Sequence, residues 1–338
     1  MLLTTSFLIH PSFCLDIAKE VTDAIATSKK PYIVSISGLS LHDNLEMLSR
    51  LYDNPSNIAA IELNLACPNI PGKPVVSNDF EQMENVLRSV AEHPQYDTIP
   101  LGIKLGPYFD MPFFERAADI IAQYPIRFVV CINTIGNALF VDADNECEAI
   151  APQNGLGGLG GGFVKQTALA NVRTMYQLLT ARDRADIDIV GVGGVRTGRD
   201  AFELILCGAR AVQTATCYWN EGPACFGRIA AELEDIMRQK GYHSIEDFRG
   251  QLKPYIKPTR TLKSSGETNE GVDLDSESVR PSAVETKKKD THPPAQLQAQ
   301  LPWRELAIFA YLVLFAIIVA FGVENHKKHG HALKDSVW

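Results

Sequence analysis

The sequence predicts an α/β domain on a parallel sheet, read as a (β/α)8 TIM barrel lacking its first two βα units, with one C-terminal transmembrane helix. Three observations predict it. Short, continuously apolar, β-rich runs alternate with helical patterns, as buried parallel strands with crossover helices do. Polar residues gather where those runs end, which is where parallel β/α folds keep their chemistry. Finally, no charged residue occurs between Leu306 and Val323.

In chain order, the segment before Lys30 offers at most one helix, around Asp16 to Thr27. A secretory leader is disfavoured there, because no basic region precedes the apolar start and Pro11 interrupts it. Strands are predicted at Tyr32–Ser37, Ala60–Leu65, Leu101–Leu105, Phe128–Ile132, Ile187–Val192 and Ala211–Thr214. Helices are predicted at Asp79–Glu92, Phe113–Tyr124, Thr167–Leu179, Asp200–Leu206 and about Pro223–Lys240. The order fits a β/α barrel or a doubly wound sheet. A closed barrel needs eight strands, so two βα units are missing from those legible. This domain is taken as residues 1–257. Residues 258–302 are rich in Ser, Thr, Glu, Lys and Pro and read as a disordered linker, with too little apolar surface to offset ordering.

The tail, 303–338, is read as a membrane helix over 306–323 with a short basic end. At about 1.5 Å per residue the helix just spans a core of about 30 Å. Trp303 and Arg304 precede it, and His326, Lys327 and Lys328 follow it. Lys287 to Lys289 lie upstream, so basic residues flank both sides and do not set the orientation. The short tail suggests a tail anchor that leaves the preceding domain cytoplasmic.

Composition narrows the function. The 338 residues are 46% hydrophobic, enough for one large core. A formal net charge of -8 argues against nucleic acid as a partner. The 7 cysteines are odd in number and form no CxxC pair, which disfavours a disulfide framework or zinc site and favours a reducing compartment. Neither a P-loop nor an HExxH motif occurs.

The strand ends carry the candidate chemistry. Glu62-Leu63-Asn64-Leu65-Ala66-Cys67-Pro68-Asn69 offers the amides of Asn64 and Asn69 for a polar ring. Cys67 between them is either a thiol nucleophile, metal ligand or general base, or a buried structural cysteine. In Gly102-Ile103-Lys104-Leu105-Gly106, a lysine inside an apolar strand needs a partner. An anionic cofactor is one; a salt bridge or a snorkelling side chain is the alternative. Cys131-Ile132-Asn133-Thr134 again sets an amide and a hydroxyl at a strand end. The run from Gly155 to Gly162 allows close backbone approach to a ligand, or is a flexible loop. Gly193-Gly194, followed one βα unit later by Thr214-Ala215-Thr216, resembles the way β/α barrels hold a phosphate.

Taken in order, ELNLACPNIPGKP, GIKLGPYFD, CINTIGNALF, GLGGLGGGFVKQTALANVR, VGVGGVRTGRDAFELILCGA, EGPACFGRI and MRQKGYHSIEDFRGQLK resemble the class 1A, fumarate-dependent dihydroorotate dehydrogenases over roughly Lys30 to Lys253. The resemblance implies an eight-stranded barrel with FMN at the C-terminal strand ends. It implies that Cys67 is the catalytic base, taking a proton from C5 of dihydroorotate while hydride passes from C6 to the flavin N5. It places Asn64, Asn69, Asn133 and Thr134 on the substrate, with Thr134 where the family has serine. It places Asn64, Lys104, Ile132, Gly161, Gly193, Gly194, Ala215 and Thr216 on FMN, with Ala215 where the family has glycine. Fumarate as acceptor and a homodimer follow from the same resemblance. The family's first quarter, with two strands, a flavin-contacting lysine and a substrate loop, has no counterpart here. The membrane tail is also foreign to it. The expectation is therefore a truncated barrel with weak FMN binding and little turnover. The alternatives are a catalytically impaired, membrane-tethered remnant or another FMN-dependent pyrimidine oxidoreductase, although iron–sulfur cysteine runs are absent.

Overall fold

A computed structural model describes residues 3–6, 31–38, 40–53, 58–66, 75–150 and 155–255. The chain divides into two units, Met1–Thr259 and Arg260–Trp338, and every described residue lies in the first.

The main sheet is parallel and seven-stranded. It is built from β1 (Leu3–Ser6), β2 (Tyr32–Ile36), β3 (Ile58–Asn64), β4 (Leu101–Leu105), β5 (Phe128–Cys131), β10 (Asp188–Val192) and β11 (Ala209–Gln213), in that order across the sheet. Between β5 and β10 the chain makes two small antiparallel ribbons. One pairs β6 (Ile135–Leu139) with β9 (Leu156–Leu159), the other β7 (Val141–Asp142) with β8 (Cys147–Glu148). The helices are α1 (Leu41–Asp53), α2 (Phe80–Ala91), α3 (Met111–Ala122), α4 (Lys165–Thr180), α5 (Gly198–Leu206), α6 (Thr216–Glu221) and α7 (Ala224–Lys240).

Local sequence accounts for these boundaries. Asp79 caps α2 by accepting from the Gln82 amide at 3.1 Å. Pro112 stands in the first turn of α3, where its missing N–H costs nothing. Thr197 and Asp200 form a reciprocal capping box on α5. Gly241, left-handed at φ 74, ends α7.

Alternation along the strands separates two cores. Ile61, Leu63, Ile103, Leu105, Val129 and Ile189 pack outward against the helices. Ile33, Ala60, Phe128, Val130 and Val190 pack on the other, inner side. Because both faces are buried, the strands read as nearly continuous apolar runs. The sheet is strongly curled. β3 and β11 are four strand spacings apart, roughly 19 Å if the sheet were flat. Yet Gln213 Nε2 donates to Glu62 Oε2 at 2.8 Å across that gap.

These findings correct the fold class read from the sequence. The sheet is a parallel half-barrel of seven strands, not an eight-stranded barrel with two units removed. Leu3–Ser6 supplies a strand, paired with β2 from Leu3↔Tyr32 to Ser6↔Ser35, where no strand is expected. Among the described residues β1 and β11 each pair on one side only, so the sheet is not closed. Both architectures bury strands on two faces and give the same apolar runs, so periodicity alone does not tell them apart. The transmembrane helix is also not carried by the structure. No helix among the described residues is long and apolar enough to cross a membrane. The segment 306–323 lies outside those residues, as do the linker and the helix predicted around Asp16 to Thr27. An uncharged stretch of this length sits at the short end of the membrane-spanning range, so its apolar character alone was a weak discriminator.

Candidate active site

Parallel pairing brings the C-terminal ends of β3, β4, β5, β10 and β11 to one edge of the sheet. Register then decides what meets there. Asn64 of β3 is the cross-strand partner of Lys104 on β4, and Lys104 is in turn the partner of Val130 on β5.

Two of the predicted amides are tied together. Asn133 Nδ2 donates to Asn64 Oδ1 at 3.1 Å and to the Ala66 carbonyl at 2.9 Å. Asn64 Oδ1 also accepts from the Ala66 amide at 3.0 Å, and Asn133 Oδ1 accepts from the Thr134 amide at 2.9 Å. The Asn133 amide donates to the Leu105 carbonyl at 2.8 Å, locking the ends of β4 and β5. The segment leading into residue 67 is thus held on both sides. Cys67 and Asn69 themselves lie outside the described residues.

Lys104 has a protein partner. Its Nζ lies 3.7 Å from Glu62 Oε1, with Lys104 largely buried and Glu62 fully so. The salt-bridge alternative for this lysine therefore holds, and an ammonium with three donors has capacity left for a ligand. Ile132 is buried beside the site. Burial pushes the neighbouring Cys131 thiol up to about 12, so it is a packing group rather than a nucleophile.

The glycines assemble into a second cluster. Gly161, Gly193 and Gly194 have φ of 69°, 137° and 72°, which L side chains rarely adopt. A Cβ at Gly194 would lie 2.7 Å from Lys165 Cβ and 3.1 Å from the Gly161 carbonyl oxygen. One at Gly193 would lie 2.7 Å from Ala168 Cβ, and one at Gly161 would meet the Thr216 side chain at 3.4 Å. The loop after β10 therefore packs closely on the start of α4 only because Gly193 and Gly194 lack side chains, whereas the start of α6 lies at ordinary contact distance from Gly161. Ala215 needs no such freedom, since its φ of -116° suits an L residue. Beside this cluster opens a cleft of about 490 Å³ lined by Gly162, Lys165, Gly194, Arg196, Asp200 and Arg228, among others. Within it Lys165 pairs with Asp200 and Arg228 with Glu221. Burial pulls the Lys165 ammonium down, but hydrogen bonds to Asp200 and Glu203 outweigh it and hold it above its ordinary value. The glycine run from Gly155 is no loose loop: β9 covers Thr134, and a Cβ at Gly158 would sit 2.2 Å from Thr134 Oγ1.

Several residues that shape the site escaped the sequence. Ser77, fully buried, accepts from the Gly106 amide at 3.1 Å, and its carbonyl accepts from the Tyr108 hydroxyl at 2.6 Å. Burial raises the Tyr108 hydroxyl well above the ordinary phenol value, leaving it a donor. Asn171 of α4 donates to the Tyr108 and Thr167 carbonyls at 3.0 Å each and accepts from the Tyr108 amide at 2.8 Å. It fastens the exit of β4 to α4. Asn171→Ala is expected to lower stability by about 2–3 kcal/mol by orphaning buried backbone groups, read as a shifted urea midpoint at unchanged m. The one signal for Asn171 was an amide amid apolar helical positions. Glu62 carried a clearer one, a carboxylate within Ile61-Glu62-Leu63 at a same-face spacing from Asn64.

The chain was compared with known proteins. Residues 14–237 match the family described as dihydroorotate dehydrogenase. A dihydroorotate dehydrogenase (fumarate) of Kluyveromyces lactis is 50% identical over 227 residues, 67% of this chain and 69% of the relative. The dihydroorotate dehydrogenase A (fumarate) of Lactococcus lactis subsp. cremoris is 48% identical over 224 residues, 66% of this chain and 69% of the relative. Among solved structures, a ligand-free DHODH of Eimeria tenella superposes with a TM-score of 0.57 at 19% identity, covering 72% of this chain and 71% of that one. That last likeness speaks for the fold alone.

Proposed function

We propose a function from the premise that this chain belongs to the dihydroorotate dehydrogenase family: it oxidises dihydroorotate to orotate in pyrimidine biosynthesis, with fumarate as the electron acceptor. The observation that carries this reading is the meeting, at one sheet edge, of the joined Asn64–Asn133 amides, the Lys104 ammonium and the Gly161–Gly193–Gly194 cluster. A flat polar ring suits the first, an anionic or carbonyl-rich edge the second, and a phosphate the third.

The family is flavin-dependent, and the residues present fit FMN. Gly193 and Gly194, packed so that a Cβ would clash, and Gly161 at its positive φ support a backbone cradle for its phosphate, with Ala215 and Thr216 on the adjoining turn. Asn64, Lys104 and Ile132 would border its ring. When bound, the flavin supplies the two-electron acceptor that fumarate later discharges. The chain's own groups do the rest. Asn64, Asn69, Asn133 and Thr134 would orient dihydroorotate, and Cys67 would take the proton from C5 as the C5–C6 bond becomes unsaturated. Fastening Ala66 to Asn133 supports a fixed position for that base.

The test is anaerobic addition of dihydroorotate to the purified full chain. Bleaching of bound flavin absorbance, restored by fumarate, is the expected result; a colourless protein, or a flavin indifferent to dihydroorotate, contradicts it. Gly194→Ala is expected to weaken FMN binding about tenfold, since a left-handed Ala alone costs about 1–2 kcal/mol. Ala215→Gly is expected to leave binding nearly unchanged, as φ there is already ordinary. Both are read by flavin fluorescence on dilution.

A further inference from the structure

A carboxylate removed entirely from water is costly unless its partners are well placed. Glu62 is 0% exposed and meets that demand on three sides. Ser35, its cross-strand partner on β2, donates to Oε1 at 2.8 Å. Gln213, on the last strand of the sheet, donates to Oε2 at 2.8 Å. Lys104 Nζ faces Oε1 at 3.7 Å. The position opposite Glu62 on β4 is Gly102, so no side chain stands between the carboxylate and the lysine one pleat nearer the sheet edge. At 3.7 Å the pair is Coulombic rather than a short hydrogen bond, so the ammonium is steered while its donors stay available. Nothing in the proposed proton transfer uses Glu62, Ser35 or Gln213.

We infer that Glu62 is a positioning residue: its carboxylate, clamped by Ser35 from the neighbouring strand and by Gln213 from the last strand of the sheet, anchors Lys104 so that the ammonium is presented at the sheet edge to FMN. This rests on the reading above that Lys104 borders the flavin. The Lys104 stem lies in an apolar strand, and its head faces a carboxylate held by two hydrogen bonds.

The sign of the effect separates this role from its rivals. Replacing Glu62 by glutamine removes a negative charge, so electrostatics alone would leave the binding of the anionic cofactor equal or tighter. Loss of positioning weakens it. In the full-length holoenzyme, FMN release on dilution is followed by flavin fluorescence for the wild type, Glu62→Gln, Lys104→Met and the double variant. Glu62→Gln is expected to raise the FMN Kd about tenfold, the worth of one charge-assisted hydrogen bond, and to lower kcat with little change in KM for dihydroorotate. In the Lys104→Met background the same change is expected to raise Kd no further. An unchanged or lower Kd in Glu62→Gln overturns the inference, and so does an equal rise in both backgrounds, which marks a merely structural role. Should Glu62→Gln not fold, Ser35→Ala keeps both charges and decides the matter: a raised Kd supports the clamp, and an unchanged one overturns it. A wild-type chain whose flavin is absent or untouched by dihydroorotate is visible before any variant is made, and it sinks the proposed function itself.

Discussion

Cys67→Ala is expected to lower the rate of dihydroorotate oxidation by about 10²–10⁴-fold, the usual worth of a positioned general base, while FMN stays bound. The residue lies outside the described part of the structure, but the segment entering it does not. Asn133 Nδ2 holds the Ala66 carbonyl at 2.9 Å, and Asn64 holds the Ala66 amide at 3.0 Å. The position before residue 67 is therefore pinned to the ends of β3 and β5. Removing the thiol removes the proton acceptor without loosening that frame, so cofactor affinity is spared. Cys67→Ser keeps an oxygen in place, but a hydroxyl ionises far less readily than a thiol, and its residual rate is expected to climb with pH. Asn133→Ala acts differently. It frees the Ala66 carbonyl and removes one of the two hydrogen bonds to Asn64 Oδ1, so it is expected to weaken substrate binding as well as turnover. The measurement is the anaerobic reductive half-reaction, followed by loss of flavin absorbance after rapid mixing. Wild-type rates in Cys67→Ala would move the base to another residue.

Gly102→Ala is expected to cost about 3 kcal/mol of stability, at the upper end of overpacking effects. Gly102 on β4 is the register partner of Phe128 on β5. A Cβ there would stand 2.3 Å from the Phe128 ring, far inside contact distance. The ring fills the inner side of the curled sheet among Ile33, Ala60, Val130 and Val190, so it has no open space to retreat into. The corresponding fall in melting temperature is about 6–12 °C for a domain of this size. The smaller side chain of Phe128→Leu, added to Gly102→Ala, is expected to recover part of the loss, because the two changes share one volume. The check is thermal and urea unfolding of both variants. If Gly102→Ala unfolds like the wild type, the inner core is looser than the curl of the sheet implies.

Much of this protein was determined by its sequence alone. The apolar runs at Phe128–Cys131 and at Leu101–Leu105, the latter broken only by Lys104, mark strands buried on both faces, because burial on two sides erases alternation. The helices following β3 and β10 announce themselves by Asp79 and by the Thr197–Asp200 pair, which are local capping signals. The order of the strand-end motifs carried the family and, through it, the reaction. What only the tertiary structure decided was whatever depends on residues far apart in the chain. The number of strands and the open edges of the half-barrel come from hydrogen bonds between segments, such as Leu3–Ser6 with β2, that no local pattern encodes. The ribbon that turns the glycine run into a cover over Thr134 is another such pairing. The partner of Lys104 is the clearest case. The sequence showed that a lysine inside an apolar strand needed a partner or a route to solvent, because desolvation of the charge is costly. Which anion, and that Gln213 would reach it from 151 positions away, was settled only when the sheet curled and brought β3 and β11 face to face.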